Sequence, residues 1–419
     1  MPVFSSWSER HAHLTRWILL LGWLGLIASL LIPGLNPWTI SKHYCGQLVH
    51  CHSHGGNQLF WGMVVPSGLL ILVVLSHEIW RRICPLAFIS QVFRALNWQR
   101  RILGKDGRRE VVKIASQSWI GKHHVQVQWS LFIAGLTLRL LVVNSSTVGL
   151  GLFLILTLAS ALVVGWAYGG KAWCQYFCPM APVQTILTGP RSLFGSPARL
   201  SSQTPITQSM CRSISNQGVT QSTCVGCQSI CIDIDSERAY WQSLRGKRGL
   251  TWAWYSYPGL VLGFFLLITL QTRGGIEYLR TGMWAYDIDI FNEIGTPLII
   301  HGWNTLLPRV IELPAILLLM GSISVVLFRG LEQILKYQLF LGPRHSSELP
   351  RHRSRLIATF VAVNIFFFFS DPSLGLVGTW LGQIVRFSVL FVSGLWLYRG
   401  WFIDKPAYTR DLPNTSLSK

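Results

Sequence analysis

Long apolar runs alternate with short polar and basic segments along the whole chain. A helix that crosses a hydrocarbon core of ~30 Å needs ~20 mostly apolar residues, and a helix pairs its own backbone polar groups in lipid. The pattern therefore predicts an all-α polytopic membrane protein with about eight transmembrane helices. The predicted spans are residues 17–32, 59–75, 125–143, 149–167, 258–270, 313–328, 356–370 and 374–398, of which 258–270 is the shortest.

Composition agrees with this prediction. Half of the 419 residues are hydrophobic and only 13% are charged, whereas soluble domains carry about 25% charged residues. The first run is followed by PGLNPW and by no small-residue cleavage site, so we expect an uncleaved membrane anchor.

Lysine and arginine residues concentrate in alternate loops. Ten lie in residues 81–122, eight in residues 171–248 and six in residues 329–355, whereas the loop between the first two spans has only Lys42. By the positive-inside rule, the basic loops and both termini are predicted to face the cytoplasm. The net charge of +19 then reflects topology and attraction to lipid headgroups. We expect no nucleic-acid partner, because no binding motif joins these residues.

Seven of the nine cysteines fall on the predicted cytoplasmic side, where stable disulfides are rare and cysteine clusters indicate metal binding. CQYFCP matches the end of the bacterial ferredoxin motif C-x2-C-x2-C-x3-C-P. CVGCQSIC matches its last three cysteines, with Ile232 in place of the proline and Gln221 in place of the first cysteine. These spacings favour an iron–sulfur cluster over a structural zinc site, which prefers two CxxC pairs. The seven candidate ligands are Cys84, Cys174, Cys178, Cys211, Cys224, Cys227 and Cys231.

The Cys-Pro turn occurs twice. CPLAFISQVF at 84–93 aligns with CPMAPVQTIL at 178–187, and each copy follows a span that enters the cytoplasm. Spans one to four are therefore predicted to be two duplicated hairpins. The copies differ where Trp80 takes the place of Cys174.

These motifs resemble those of the membrane-bound polyferredoxins. That family includes the quinol-oxidising membrane subunit of periplasmic nitrate reductase systems, regulators of nitrous-oxide reductase and accessory ferredoxins of cytochrome-oxidase assembly. The resemblance covers roughly residues 15–240. It implies [4Fe–4S] clusters and electron transfer at a bacterial inner or thylakoid-type membrane. The expected organisation is 1–167 for helices one to four, 168–251 for a cytoplasmic ferredoxin-like segment and 252–419 for helices five to eight.

The ligands can be divided in more than one way. If fourth cysteines swap between clusters, as in ferredoxins, one cluster takes Cys178, Cys224, Cys227 and Cys211. A second then has only Cys174, Cys231 and Cys84, so it is a [3Fe–4S] cluster or has a non-cysteine ligand. Histidines at the same face are His77, His123 and His124. A single [4Fe–4S] cluster is the simpler alternative.

The predicted outer loop holds a second group of metal-binding residue types in KHYCGQLVHCHSHGG. Cys45 and Cys51 have the spacing of a disulfide in an oxidising compartment, and c-type haem attachment by CxxCH is excluded. Copper, zinc or haem binding by Cys45, His50, Cys51, His52 and His54 is the alternative, with His43 and His301 nearby. The third alternative is a solvated polar loop that binds no metal.

Two classes of function follow. The first is a membrane iron–sulfur protein that passes electrons between a cytoplasmic donor and a quinone or outer-face partner. The second is an assembly factor that reduces or delivers a metal to a redox complex through the outer Cys/His loop. Membrane lipid and a redox partner protein are expected in both, and an oxidoreductase activity is left open. A charge at Arg386, midway along the last span, is costly, so we expect this side chain to line a polar cavity, to contact a quinone head or to form an ion pair with a neighbouring helix.

Overall fold

The structure is a computed structural model. It describes residues 9–32, 35, 55–103, 107–143, 146–195, 212–214, 220–222, 231–233, 236–246, 248–271, 295, 297–300, 303–339, 348–370 and 379–403. The outer-loop residues Cys45, His50, Cys51, His52 and His54 lie outside these ranges, as do His43, His301, Cys211, Cys224 and Cys227.

Helices dominate the described residues. The first half contains α1 (Glu9–Leu31), α2 (Gly55–Leu59), α3 (Val65–Leu70), α4 (His77–Ile83), α5 (Pro85–Ile89), α6 (Val92–Ala95), α7 (Trp119–Leu138), α8 (Thr147–Ala167) and α9 (Met180–Thr188). The second half contains α10 (Ser236–Gly246), α11 (Arg248–Gln271), α12 (Arg309–Leu339), α13 (Leu349–Phe369) and α14 (Thr379–Trp401). π-helical turns occupy Phe60–Val64, Ile71–Leu75, Arg139–Val143 and Trp173–Phe177.

Three short antiparallel strand pairs complete the described elements. They are β1 (Arg101–Leu103) with β2 (Arg109–Val111), β3 (Arg212–Ile214) with β4 (Thr220–Ser222), and β5 (Pro297–Ile300) with β6 (Trp303–Pro308). Each pair is a local hairpin, so none of them forms a sheet that could hold the fold together.

Six helices in the described part of the chain are long and apolar enough to cross a membrane. They are Glu9–Leu31, Trp119–Val143, Thr147–Ala167, Leu250–Thr269, Arg309–Gln338 and Leu349–Phe369. Phe60–Leu75 is a shorter apolar helix, and α14 corresponds to the last predicted span without being among the six. These helices fit a membrane protein, while the count of eight and the orientation stay predictions. The fifth span is longer than its apolar run, because the aromatic lead-in is helical too.

The second half packs tightly through glycines. A Cβ atom on Gly259 would lie 2.2 Å from the carbonyl oxygen of Met320, and one on Gly263 would lie 3.0 Å from the Cβ of Met320. The two glycines are four residues apart, so they form one face of α11 that admits the backbone of α12. The largest apolar core lies here and extends to α9, which brings it next to the second Cys-Pro turn.

The first helix begins before its apolar run. Residues from Glu9 onwards are helical, and Arg16 Nη2 donates to Glu9 Oε1 at 2.7 Å while both side chains are buried. Arg16 Nε also donates to the carbonyl oxygen of Arg82 at 2.7 Å. The polar start of α1 is thus attached to the helix that leads into the first Cys-Pro turn.

Candidate metal centre at the two Cys-Pro turns

The two Cys-Pro turns have the same backbone geometry. Cys84 has φ −57° and ψ 118°, and Cys178 has φ −59° and ψ 118°. Each cysteine ends a helical turn, with its N–H donating to a carbonyl oxygen at 2.8 Å, that of Trp80 or of Trp173. Each is followed by proline at the start of a helix, where the missing N–H costs nothing.

The similarity extends to the residue eight positions before each cysteine. Ser76 has φ 105° and Gly170 has φ 72°, a region that a residue other than glycine rarely adopts. Ser76 compensates by capping α4, since its Oγ accepts from Glu78 N at 3.1 Å. These two positions set the direction in which each segment approaches its cysteine.

Three thiols come together between the turns. Cys84, Cys174 and Cys178 are all buried and belong to one cluster of packed side chains. Ala87 and Ala181, at equivalent positions of the repeat, also belong to it. The structure therefore joins the first hairpin to the second, whereas the predicted division into two clusters separates Cys178 from Cys84.

Cys231 is the fourth cysteine in the described part of the chain and is half-buried. Its Sγ lies 3.8 Å from Nε2 of Gln175, the residue after Cys174. Two residues further on, Asp233 accepts from Lys171 Nζ at 2.9 Å. The end of the CVGCQSIC motif is thus anchored beside the second turn.

Burial controls the protonation of the thiols. It raises the pKa of Cys84 to about 11 and that of Cys178 to about 12, and it also raises the pKa of Cys174. The charge of Arg81 acts in the opposite direction on all three pKa values. Metal ligation requires thiolates, so binding of a positive metal cluster here would release protons.

The donor set fits an iron–sulfur cubane better than a single metal ion. In the described residues no three His, Cys, Asp or Glu side chains converge on a point where one ion would bind. A zinc site needs four such ligands on one ion, whereas each thiolate of a cubane binds a different iron atom. The three buried thiols are candidate ligands for three of the four iron atoms of one cubane.

Trp80 does not substitute for the thiol of Cys174. A Cβ atom on Gly68 would lie 3.1 Å from the Trp80 ring, so the ring occupies the space that this glycine leaves. The side chain also packs on both the large apolar core and the cysteine cluster. Trp80 is thus a packing residue where the second hairpin has a candidate ligand.

A buried ionic network that the sequence motifs did not indicate lies behind the thiols. Asp233 is contacted by Lys171, by Arg81 Nε at 3.6 Å and by His77 Nε2 at 3.8 Å. Burial acts to raise the pKa of Asp233, but Arg81 and Lys171 outweigh it and hold this pKa below its usual value. Extending the repeat alignment toward the N-terminus would have paired His77 with Lys171 and so pointed to this network.

The histidines named as non-cysteine ligands have other contacts. His77 Nε2 accepts from Arg81 Nε at 2.9 Å. His123 stacks on Trp119, and its Nδ1 lies 3.0 Å from the Trp119 carbonyl oxygen. His124 Nδ1 lies 2.9 Å from the carbonyl oxygen of Gly121. These contacts do not support ligation of a cluster by a histidine, which stays a prediction.

Arg386 and Arg139 lie within apolar helices and contact aromatic rings. The guanidinium of Arg386 is 5.6 Å from the ring centre of Phe368. That of Arg139 is 3.5 Å from the ring centre of Trp61 and 4.5 Å from that of Phe264. Such cation–π contacts reduce the cost of a charge in lipid.

Comparison with protein-family models identifies the chemistry of this region. Residues 151–197 match the model of a 4Fe-4S binding domain. The matched segment contains most of α8, the second Cys-Pro turn and both Cys174 and Cys178. The match supports an iron–sulfur protein with a [4Fe–4S] cluster and a role in electron transfer. Comparison with curated proteins and with solved structures gave no significant match.

Proposed function

We propose that this protein is a membrane iron–sulfur electron-transfer protein of the polyferredoxin type, passing electrons between a cytoplasmic donor and a quinone or outer-face partner. The observation that carries the proposal is the meeting of Cys84, Cys174 and Cys178 in one buried site. The 4Fe-4S binding-domain match adds to it, because it contains two of these cysteines.

The proposed ligands are these three cysteines together with one from the segment 211–231. Cys231 is the candidate for the fourth, since Gln175 and Asp233 hold its neighbourhood against the second hairpin. When bound, the cluster supplies a one-electron redox centre. The protein excludes water from the three thiols by burial and provides a cationic side chain, Arg81, next to them.

Iron and acid-labile sulfide analysis with EPR of the reduced, full-length protein tests this proposal. We expect about four irons per chain for the single cluster and about eight for two cubanes. Cys174→Ser and Cys178→Ser should lose most of the iron. A chain purified anaerobically with zinc in place of iron would overturn the proposal.

Quinone reduction in proteoliposomes tests whether the protein passes electrons through its cluster to a quinone. We expect Cys178→Ser to abolish quinone reduction by a chemical donor and Cys51→Ser to leave it unchanged. A strict need for Cys51, with copper bound to the purified chain, would favour the assembly-factor function.

A further inference from the structure

Two basic side chains from equivalent positions of the hairpins meet one carboxylate. His77 and Lys171 each lie seven residues before the cysteine of their turn. Both contact Asp233, and all three side chains are almost completely buried. Because Asp233 comes two residues after Cys231, this contact fixes the end of the cysteine-rich segment between the two hairpins.

Arg81 connects this network to the thiols. Its Nε donates to His77 Nε2 at 2.9 Å and to Gln184 Oε1 at 3.1 Å. Its Nη2 donates to the carbonyl oxygen of Cys174 at 3.4 Å. Within the described part of the chain Nη1 is buried without a hydrogen-bond partner. The equivalent residue of the second hairpin is the neutral Gln175.

Arg81 brings a buried positive charge close to the thiols. Burial, and to a lesser extent Arg81, lowers the pKa of His77 to about 3, so this imidazole is neutral near pH 7. Asp233 faces two cationic side chains, with Oδ1 3.6 Å from Arg81 Nε and Oδ2 2.9 Å from Lys171 Nζ. Of these two cations, Arg81 is the one that donates to the carbonyl oxygen of the candidate ligand Cys174.

A buried charge of this kind acts on a cluster through its field. A cubane with four thiolate ligands is negative in both oxidation states, and reduction adds one more negative charge. Charge near the cluster and hydrogen bonds to its sulfurs are among the factors that set its reduction potential. The interaction is strong in a site from which water is excluded.

We propose that the buried positive charge of Arg81 raises the reduction potential of the cluster, and that the opposing charge of Asp233 partly offsets it. The inference rests on the proposed function, since it needs a cluster at these thiols. Arg81 has a buried Nη1 donor without a hydrogen-bond partner among the described residues, and the equivalent position of the second hairpin is the neutral Gln175, so this charge is present on one side of the repeat.

A redox titration followed by EPR on the full-length protein in detergent tests this role. Arg81→Met should lower the midpoint potential enough to change the reduced-to-oxidised ratio at least tenfold, which is 59 mV for a one-electron couple. Arg81→Lys keeps the charge and should retain most of the potential. Asp233→Asn removes the opposing charge and should shift the potential upward.

Arg82→Gln is the matched control. Arg82 is the next residue of the same helix and is also buried, but it projects about 100° further around the axis. An unchanged potential in Arg81→Met, an equal shift in Arg82→Gln, or a downward shift in Asp233→Asn would overturn the proposal. If Arg81→Met lacks iron, Arg81→Lys and Asp233→Asn decide the question. If Arg81→Lys also loses its iron, the role of Arg81 is structural and the proposal is overturned. If the unmodified protein contains no iron, the proposed function is contradicted instead.

Discussion

Backbone conformation at two single residues directs both hairpins. Ser76 and Gly170 adopt positive φ at matching positions, yet only the second is a glycine. The left-handed conformation costs an ordinary residue roughly 1–2 kcal/mol, and at Ser76 the capping hydrogen bond to Glu78 N offsets part of that cost. Gly170 lies just before the turn Trp173–Phe177 and needs no such compensation.

We expect Gly170→Ala to lower the free energy of unfolding by ~1–2 kcal/mol, because the added Cβ opposes its positive φ. Denaturation of the purified protein in detergent measures this. Gly135→Ala is the control, since a methyl group added at Gly135 in its helix would meet no atom within 4 Å. Equal effects of the two substitutions would contradict the prediction.

His77 makes stability depend on pH. An unfolded histidine binds a proton below about pH 6.5, whereas His77 stays neutral until about pH 3. Between these values the unfolded state binds more protons, so stability falls as pH falls, by at most about 1.4 kcal/mol per pH unit. Melting temperatures between pH 7 and pH 4.5 should drop less steeply for His77→Gln than for the unmodified protein. Parallel curves would show that His77 does not contribute.

At the scale of elements, one close helix contact sets the distance between the hairpins. A Cβ atom on Gly165 of α8 would lie 2.0 Å from the carbonyl oxygen of Ser90, which follows α5. The side-chain amide of Gln99 donates to the carbonyl oxygen of Gly165 at 3.0 Å. The first hairpin therefore rests on the backbone of the helix that leads to the second.

We expect Gly165→Ala to displace the first hairpin and to reduce the iron retained after purification several-fold, since backbone atoms must move to admit the methyl group. Gly22→Ala, in the open part of α1, is the control. Iron content per chain is the measurement. Full iron content in Gly165→Ala would show that Cys84 is not a ligand or that the contact is easily relaxed.

The sequence predicted the elements better than the contacts between them. Apolar runs identified the helices, because long uncharged segments have few alternatives in lipid, and cysteine spacing identified the cluster chemistry. The predicted division grouped Cys84 with Cys174 but separated both from Cys178, since helix packing through Gly165 has no spacing signature. Asp233, Arg81 and Lys171 were missed because each looks like an ordinary loop charge until the chain folds.

At the scale of the whole molecule, the distribution of basic residues predicts the orientation. Leu103 on β1 lies in the basic loop and is 74% exposed, whereas Leu306 on β6 lies in a loop with few basic residues and is 98% exposed. The positive-inside rule puts the first in the cytoplasm and the second outside.

Cysteines introduced at these two positions test the orientation in intact cells. A membrane-impermeant maleimide should label Leu306→Cys directly and Leu103→Cys only after permeabilisation. The unmodified protein provides the background from its native thiols. The reverse labelling pattern would show that the topology is opposite to the predicted one and that the cluster lies on the outer side.

The contact between His77 and Asp233 also fixes the order of events during biosynthesis. Roughly 150 residues separate the two along the chain, and ribosomes add ~5–20 residues per second. Cys84 therefore waits on the order of ten seconds for Asp233 to be made, while α7 and α8 are synthesised. The site is therefore completed late in synthesis. A nascent chain stalled before residue 231 contains the three hairpin thiols but lacks both Cys231 and the carboxylate of Asp233, which anchors its segment.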